Sequence, residues 1–166
     1  TMMCARLYTP AKIIAIDTDE YRLALAKEKG LADITLVAGR DRVEEEVLKA
    51  SGGRGADTVF EVAGEEDTFQ TAWKIARPNA VVVIVAMYEE PQMLPLPDMY
   101  GKNLVFKTGG VDGSYCQEIM DLTACGKLDA GFFITHRCGL DEIMDAYDIF
   151  ENKRDHVIKY AIKPGD

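Results

Sequence analysis

Short apolar runs alternate with amphipathic stretches along most of this chain. Ala11–Arg22, AKIIAIDTDEYR, sets the pattern. A β-branched run of strand length, Lys12–Ile16, leads into Asp17-Thr18-Asp19, which carries N-cap chemistry, and then into a helix over Tyr21–Lys29. Gly30 ends that helix as its C′ residue. Ile34–Val37 reads as the next strand. Asp41–Ser51 reads as a helix, with Asp41 as N-cap, Val43, Val47 and Leu48 on one face, and Gly52-Gly53 closing it. Asp57–Ala63, DTVFEVA, is a strand that stops at Gly64. Phe69, Ala72, Trp73 and Ala76 fall at helical spacing, and Pro78-Asn79 breaks that helix. Ala80–Ala86, AVVVIVA, is apolar throughout, as a parallel strand covered on both faces requires. A Pro-rich loop, Glu89–Asp98, precedes a strand over Asn103–Lys107 and a helix marked by Tyr115, Ile119 and Leu122.

Five strand signals alternating with helices predict right-handed βαβ units. The expected fold is therefore α/β, a Rossmann-like doubly wound parallel sheet. The two ends differ from this rhythm. Thr1–Tyr8 reads as the last two turns of a helix, stopped by Thr9-Pro10. At the other end Ile134–His136 is a short extended piece. Leu140, Ile143, Met144 and Tyr147 form a helical stripe, and Val157–Ile162 is a last strand.

Composition narrows the function classes. The 166 residues are 48% hydrophobic and 28% charged, enough for a packed core. A net charge of −9 argues against nucleic acid, which needs clustered Lys and Arg. A small anionic cofactor stays compatible, because helix N-termini and a few local cations can hold a pyrophosphate. No apolar run is long enough to span a bilayer, and Thr1–Cys4 is too short for the apolar region of a signal peptide. Cys4, Cys116, Cys125 and Cys138 show neither CxxC spacing nor a neighbouring His. They are expected to be reduced thiols in a cytoplasmic protein.

The candidate chemistry starts at Asp17. An acid at the tip of the second strand of a nucleotide-binding sheet accepts the ribose hydroxyls. The same fold needs a GxGxxG turn between its first strand and first helix. Gly52-Gly53-Arg54-Gly55 follows a helix and precedes a strand, the wrong setting for a phosphate, so it reads as loop and C-cap. Gly109-Gly110-Val111-Asp112-Gly113 follows a strand and is the better ligand-facing loop, but lacks the spacing. The Gly-rich turn and the first strand are expected just ahead of Thr1.

Four segments together resemble the zinc-dependent medium-chain alcohol dehydrogenases, over nearly the whole chain. They are AKIIAIDTDEYRLALAKEKG, GRGADTVFEVAG, the apolar strand ending Val85-Ala86-Met87, and the tail GKLDAGFFITHRCGLDEIMDAYDIF with HVIKYAI. The resemblance is to the C-terminal half of that family. It implies that residues 1–132 are an incomplete NAD-binding domain, and that 133–166 supply a helix and strand that fold back on the catalytic domain. Asp17 matches the acid that takes both hydroxyls of the adenosine ribose, which implies NAD over NADP. Arg22 matches a basic position beside that ribose. Val62 and Ala63 match residues by the nicotinamide riboside. Val85, Ala86 and Met87 match the strand end that holds the carboxamide, and Thr108 and Gly109 a neighbouring backbone segment. Lys159 matches a basic residue that reaches the pyrophosphate.

The blander readings stand beside these. Arg22 equally suits a solvated helix face, and Lys159 a solvent-facing edge strand. Thr135-His136 reads as a structural hinge, His156 as a surface residue, and Glu44-Glu45-Glu46 as a solvated face. Glu61, an acid on an apolar strand, needs a buried partner and is expected to be structural.

Catalytic zinc in the family is bound by Cys, His and acidic ligands from the N-terminal half, none of which is in this chain. No catalytic residue and no metal ligand are therefore assigned here. The full-length activity implied is alcohol plus NAD to aldehyde or ketone plus NADH, with the 166 residues alone inactive. Two alternatives remain. One is the coenzyme domain of a zinc-free quinone or enoyl reductase. The other is a non-catalytic dimerisation module, since family members pair through the strand equivalent to Asn103–Lys107, making a homo-oligomer the expected state. Without the first strand, a gap is expected between the strands at 12–16 and 57–62.

Overall fold

The computed structural model describes residues 1–110 and 113–165. They cluster into two compact units, one within 1–112 and one within 113–166.

The first unit opens with a one-turn helix, α1 (Met2–Arg6). Strand β1 (Ile14–Asp17) then leads to α2 (Glu20–Glu28), and β2 (Ile34–Val37) to α3 (Val43–Ala50). Next come β3 (Ala56–Glu61), α4 (Thr68–Ile75) and β4 (Ala76–Ile84). A one-turn helix, α5 (Leu96–Met99), precedes β5 (Val105–Thr108). Helix α2 is capped as its sequence requires: the Asp19 carboxylate accepts from the backbone N–H groups of Tyr21 and Arg22, and Gly30 follows at φ 64°.

Every strand pair in this unit is parallel. Alternation along β1 shows how the sheet is covered. Ala15 packs with Leu23, Ala26 and Ala32, while its neighbours Ile14 and Ile16 pack on a different cluster built around Val47, Val59, Ala72 and Val82. Successive side chains of a strand point to opposite faces. Helix α2 therefore lies on one face, and α3 and α4 on the other, which is the doubly wound arrangement.

The sheet is interrupted. β1 and β2 form one ladder, β3, β4 and β5 another, and no ladder joins β1 to β3 among the described residues. The break falls at the predicted gap. The two parts still share the core cluster on the α3–α4 face, where Val47 is 1% exposed.

Several boundaries differ from the sequence reading, three of them for a visible reason. Asp41 does not cap α3. Its carboxylate turns back to accept the Val37 N–H at 2.7 Å, and Arg42 occupies the cap position without a side-chain bond to the helix's first amides. Helix α4 ends at Ile75, and Ala76 already belongs to β4, paired with Ala56. The Pro78-Asn79 break thus lies inside an irregular strand start, with Asn79 at φ 59°. The loop after β4 runs over 85–95 and ends before 98, because α5 occupies its last predicted residues.

The second unit contains α6 (Cys116–Ala124), β6 (Ile134–Gly139), α7 (Ile143–Glu151) and β7 (Lys159–Lys163), with β6 and β7 parallel. The predicted stripe Leu140, Ile143, Met144 and Tyr147 is helical or adjoins the helix, but Leu140, Met144 and Tyr147 are exposed and Ile143 only half-buried. Tyr115 and Ile119 are exposed too. The four cysteines carry free thiols. No helix among the described residues is long and apolar enough to cross a membrane.

Candidate functional site

The site is built at the carboxyl ends of the strands. Register aligns Glu61 of β3 with Ile84 of β4, and Ile84 with Thr108 of β5. The residues that follow this row therefore emerge side by side: Val62 and Ala63, then Val85, Ala86 and Met87, then Gly109. Asp17 ends β1 opposite Val37. Carboxyl ends of parallel strands are where open α/β sheets bind ligands. Of the Gly109–Gly113 loop, residues 111 and 112 lie outside the described residues.

Glu61 organises the row. Its main-chain carbonyl accepts the N–H groups of Val85 at 2.8 Å and Ala86 at 3.3 Å. Its carboxylate Oε1 accepts those of Ala63 at 2.9 Å and Gly64 at 3.0 Å. One residue thus fixes four amides at the ends of two strands. The side chain is 4% exposed, and Oε2 is buried with no hydrogen-bond partner. Close by, the Tyr88 and Thr68 hydroxyls are 2.9 Å apart. Burial pushes the Tyr88 hydroxyl up, and the Glu61 carboxylate adds to this. Gly64 sits at φ 76°, and a Cβ there would lie 3.0 Å from the Met87 carbonyl oxygen, so only glycine lets the two strand ends approach.

A cleft of about 580 Å³ opens between β1 and β3. Ile16, Ala38, Gly39 and Glu61–Ala63 line it, so the carboxyl ends of β1, β2 and β3 all reach it. Its charged lining is Arg42, Glu44, Glu45, Glu61 and Asp67, and Arg42 is already paired with Glu45 at 2.5 Å. That charge balance is a poor home for a phosphate.

Asp17 fits a ribose. One carboxylate oxygen accepts the Asp19 N–H at 3.0 Å, and nothing else among the described residues bonds to the group, which leaves acceptor capacity for hydroxyls. Arg22 is 40% exposed and its guanidinium lies 3.5 Å from Asp19. Val62, Val85 and Met87 are exposed apolar residues beside the row, as an aromatic ligand ring needs. Asp17, Arg22, Val62, Ala63, Val85, Ala86, Met87, Thr108 and Gly109 all belong to the first unit. Lys159 belongs to the second, exposed at the first position of β7.

The second unit explains the Thr-His pair. The Thr135 hydroxyl accepts the Ile158 N–H at 2.9 Å and lies 2.9 Å from His136 Nδ1, while His136 Nε2 lies 3.1 Å from Asp155. Both ring nitrogens are engaged, which suits a structural residue. The grip of Glu61 on four amides is what sequence reasoning missed. An acid on an apolar strand was the available signal.

The family model for zinc-binding dehydrogenases matches residues 1–128. Among similar proteins, an alcohol dehydrogenase of Cupriavidus necator is 34% identical over 96% of this chain. An NADP-dependent isopropanol dehydrogenase of Entamoeba histolytica is 30% identical over 92% of it. A solved apo structure of zinc dependent alcohol dehydrogenase 2 from Streptococcus pneumonia superposes with a TM-score of 0.92 at 26% identity, covering 99% of this chain and 48% of that one. The chain spans 44% and 43% of the two sequence relatives. Zinc itself finds no seat here: among the described residues no group of three His, Cys, Asp or Glu side chains could hold a metal ion. With its parallel strands, its carboxyl-end row and this likeness in sequence and structure, the chain belongs to the zinc-dependent medium-chain alcohol dehydrogenase family and matches its coenzyme-binding part.

Proposed function

We propose that this chain is the NAD-binding part of a zinc-dependent alcohol dehydrogenase. In the whole protein the reaction would be alcohol plus NAD to aldehyde or ketone plus NADH. The observation that carries the reading is the row of strand ends on β3, β4 and β5, with the exposed apolar residues Val62, Val85 and Met87 beside it, together with the acceptor Asp17 closing β1 in the other ladder. Asp17 and Arg22 would take the adenosine ribose. Val62, Ala63, Val85, Ala86 and Met87, with Thr108 and Gly109, would flank the nicotinamide. Lys159 would meet the pyrophosphate, and residues 133–166 would pack on the catalytic domain. The carboxylate of Asp17 repels a 2′-phosphate, which favours NAD even though two of the relatives are named NADP-dependent.

When bound, the cofactor supplies the hydride chemistry. The protein's share is to position and to exclude water. These 166 residues alone would not turn over an alcohol. Titrating the 15N-labelled chain with NAD and NADP up to millimolar concentration tests the reading. Amide shifts at Asp17, Val62 and Ala63 with NAD, weaker with NADP, are expected. No shift with either would overturn it, as would zinc-dependent alcohol oxidation by the isolated chain for the claim of inactivity.

A homo-oligomer is part of the same proposal. Among the described residues β5 pairs only with β4, so its outer edge is open to a second copy. A concentration-independent monomer by light scattering would remove this part.

A further inference from the structure

We infer that Tyr88 is a positioning residue for the nicotinamide end of the site: its hydroxyl fixes where the Val85–Met87 backbone stands against β3. This rests on the reading that Val62, Ala63 and Val85–Met87 flank the nicotinamide.

The ladder gives out where that backbone begins. β4 keeps register with β3 as far as Ile84 opposite Glu61, and the Glu61 carbonyl oxygen then takes the Val85 and Ala86 N–H groups. Beyond them, no backbone bond among the described residues holds Met87 or Tyr88 to β3. A strand end that has left its ladder is free to open unless side chains hold it. Exposure alternates along this stretch. Val85 and Met87 are exposed, while Ala86 and Tyr88 are half-buried. The Tyr88 ring turns in against the cluster of Phe69, Trp73 and Met99.

The Tyr88 hydroxyl meets three groups at once. It lies 2.9 Å from Thr68 Oγ1, and it is hydrogen-bonded to the Glu61 side chain and to the Phe69 backbone. Thr68 is itself anchored, since its hydroxyl donates to the Glu65 carbonyl oxygen at 2.8 Å. Thr68 and Phe69 open α4, and Glu61 closes β3. One phenol thus ties the chain leaving β4 to the end of β3 and to the first turn of α4. Apolar contact alone would hold the ring without setting its place, because burial is non-directional. Hydrogen bonds set it, because they weaken steeply with distance and angle. Displacement of Val85–Met87 would cost affinity at the nicotinamide. It would cost none at the adenosine ribose, which Asp17 would take in the other ladder.

The test is amide-shift titration of the 166-residue chain with NAD and with ADP-ribose, which lacks the nicotinamide. Wild type is compared with Y88F, T68V and T68S. Y88F keeps the ring and removes the hydroxyl, T68V removes its partner, and T68S keeps that partner. NAD affinity is expected to fall about fivefold in Y88F and in T68V. ADP-ribose affinity should stay level in both, and T68S should keep the wild-type ratio of the two ligands. Equal loss for both ligands, or a lower urea midpoint with an unmoved ratio, makes the hydroxyl a stabilising group only and overturns the inference. So does T68S losing as much as T68V. If Y88F does not fold, an unmoved ratio in T68V overturns it. Wild type that binds ADP-ribose, yet shows no NAD-specific shift at Val62, Ala63 or Val85–Met87, removes the nicotinamide reading and the inference with it. Wild type that shows those shifts, with variants that keep its ratio, removes the inference alone.

Discussion

The ammonium of Lys102 donates to the Ala76 carbonyl oxygen at 2.8 Å, and to those of Lys74 at 2.6 Å and Trp73 at 3.1 Å. Helix α4 passes straight into β4, so its last carbonyls have no helical partner. Lys102, on the 3-10 turn after α5, supplies the missing donors and lies over the Trp73 ring at 5.5 Å. Lys102→Met keeps the apolar stem and removes the donors. Two partly buried carbonyls and one exposed one would lose their partner, at a cost of about 2 kcal/mol. Urea unfolding would register it as a lower midpoint with an unchanged slope.

Gly64 is the next point of sensitivity. A methyl group there meets the Met87 carbonyl oxygen at 3.0 Å and Ala86 Cβ at 3.2 Å, at a φ of 76°. Gly64→Ala must strain its backbone or push the two strand ends apart, at a cost of about 1–3 kcal/mol. Amide shifts would change at Ala63 and Met87 while those of α2 stay in place. An unperturbed Met87 would show that the approach is looser than this geometry.

Three carboxylates tie stability to acid pH. The Arg6 guanidinium, then the Ile13 N–H, holds Asp33 below its ordinary value. The Val37 N–H does the same first for Asp41, and Arg77 first for Asp57. Each folded value is below the unfolded value of about 3.9. The unfolded chain therefore binds more protons in that range. The contribution is whole above about pH 4 and is lost as pH falls through the folded values. D33N and D57N should each lower the neutral plateau and so flatten the acid limb of a stability curve measured between pH 2 and 6, with the curves converging on wild type at the acid end.

Much of the fold was legible because it is local. Ile34–Val37 matches β2 end for end, and Asp19 caps α2 where its spacing placed it. What was not legible depends on distant partners. Asp41 has the right chemistry for a cap, but the Val37 N–H competes for its carboxylate. Ala76 continues the helical spacing of Phe69, Ala72 and Trp73, yet pairing with Ala56 draws it into β4. The stripes of α6 and α7 mark helices correctly and say nothing of what covers them. At the site, Asp17 was readable as an acid closing an apolar run. The hold of Glu61 on Val85 and Ala86 was not, because it exists only once β3 and β4 are in register.

Cofactor choice gives the last prediction. Asp17 offers a carboxylate with one oxygen committed to the Asp19 N–H and capacity left for two hydroxyls. A 2′-phosphate would set charge against charge there. Asp17→Ser removes the repulsion and keeps a short polar side chain that can still bond Asp19. Arg22, 40% exposed and only 3.5 Å from Asp19, then becomes the cation within reach of a phosphate. The ratio of NADP to NAD affinity should rise about tenfold in D17S, and R22A in the same background should reverse most of that gain. Titration with the two cofactors in parallel measures both. A ratio unmoved by D17S would mean that the adenosine ribose is not held at the tip of β1, and that the choice between the cofactors is made by residues elsewhere.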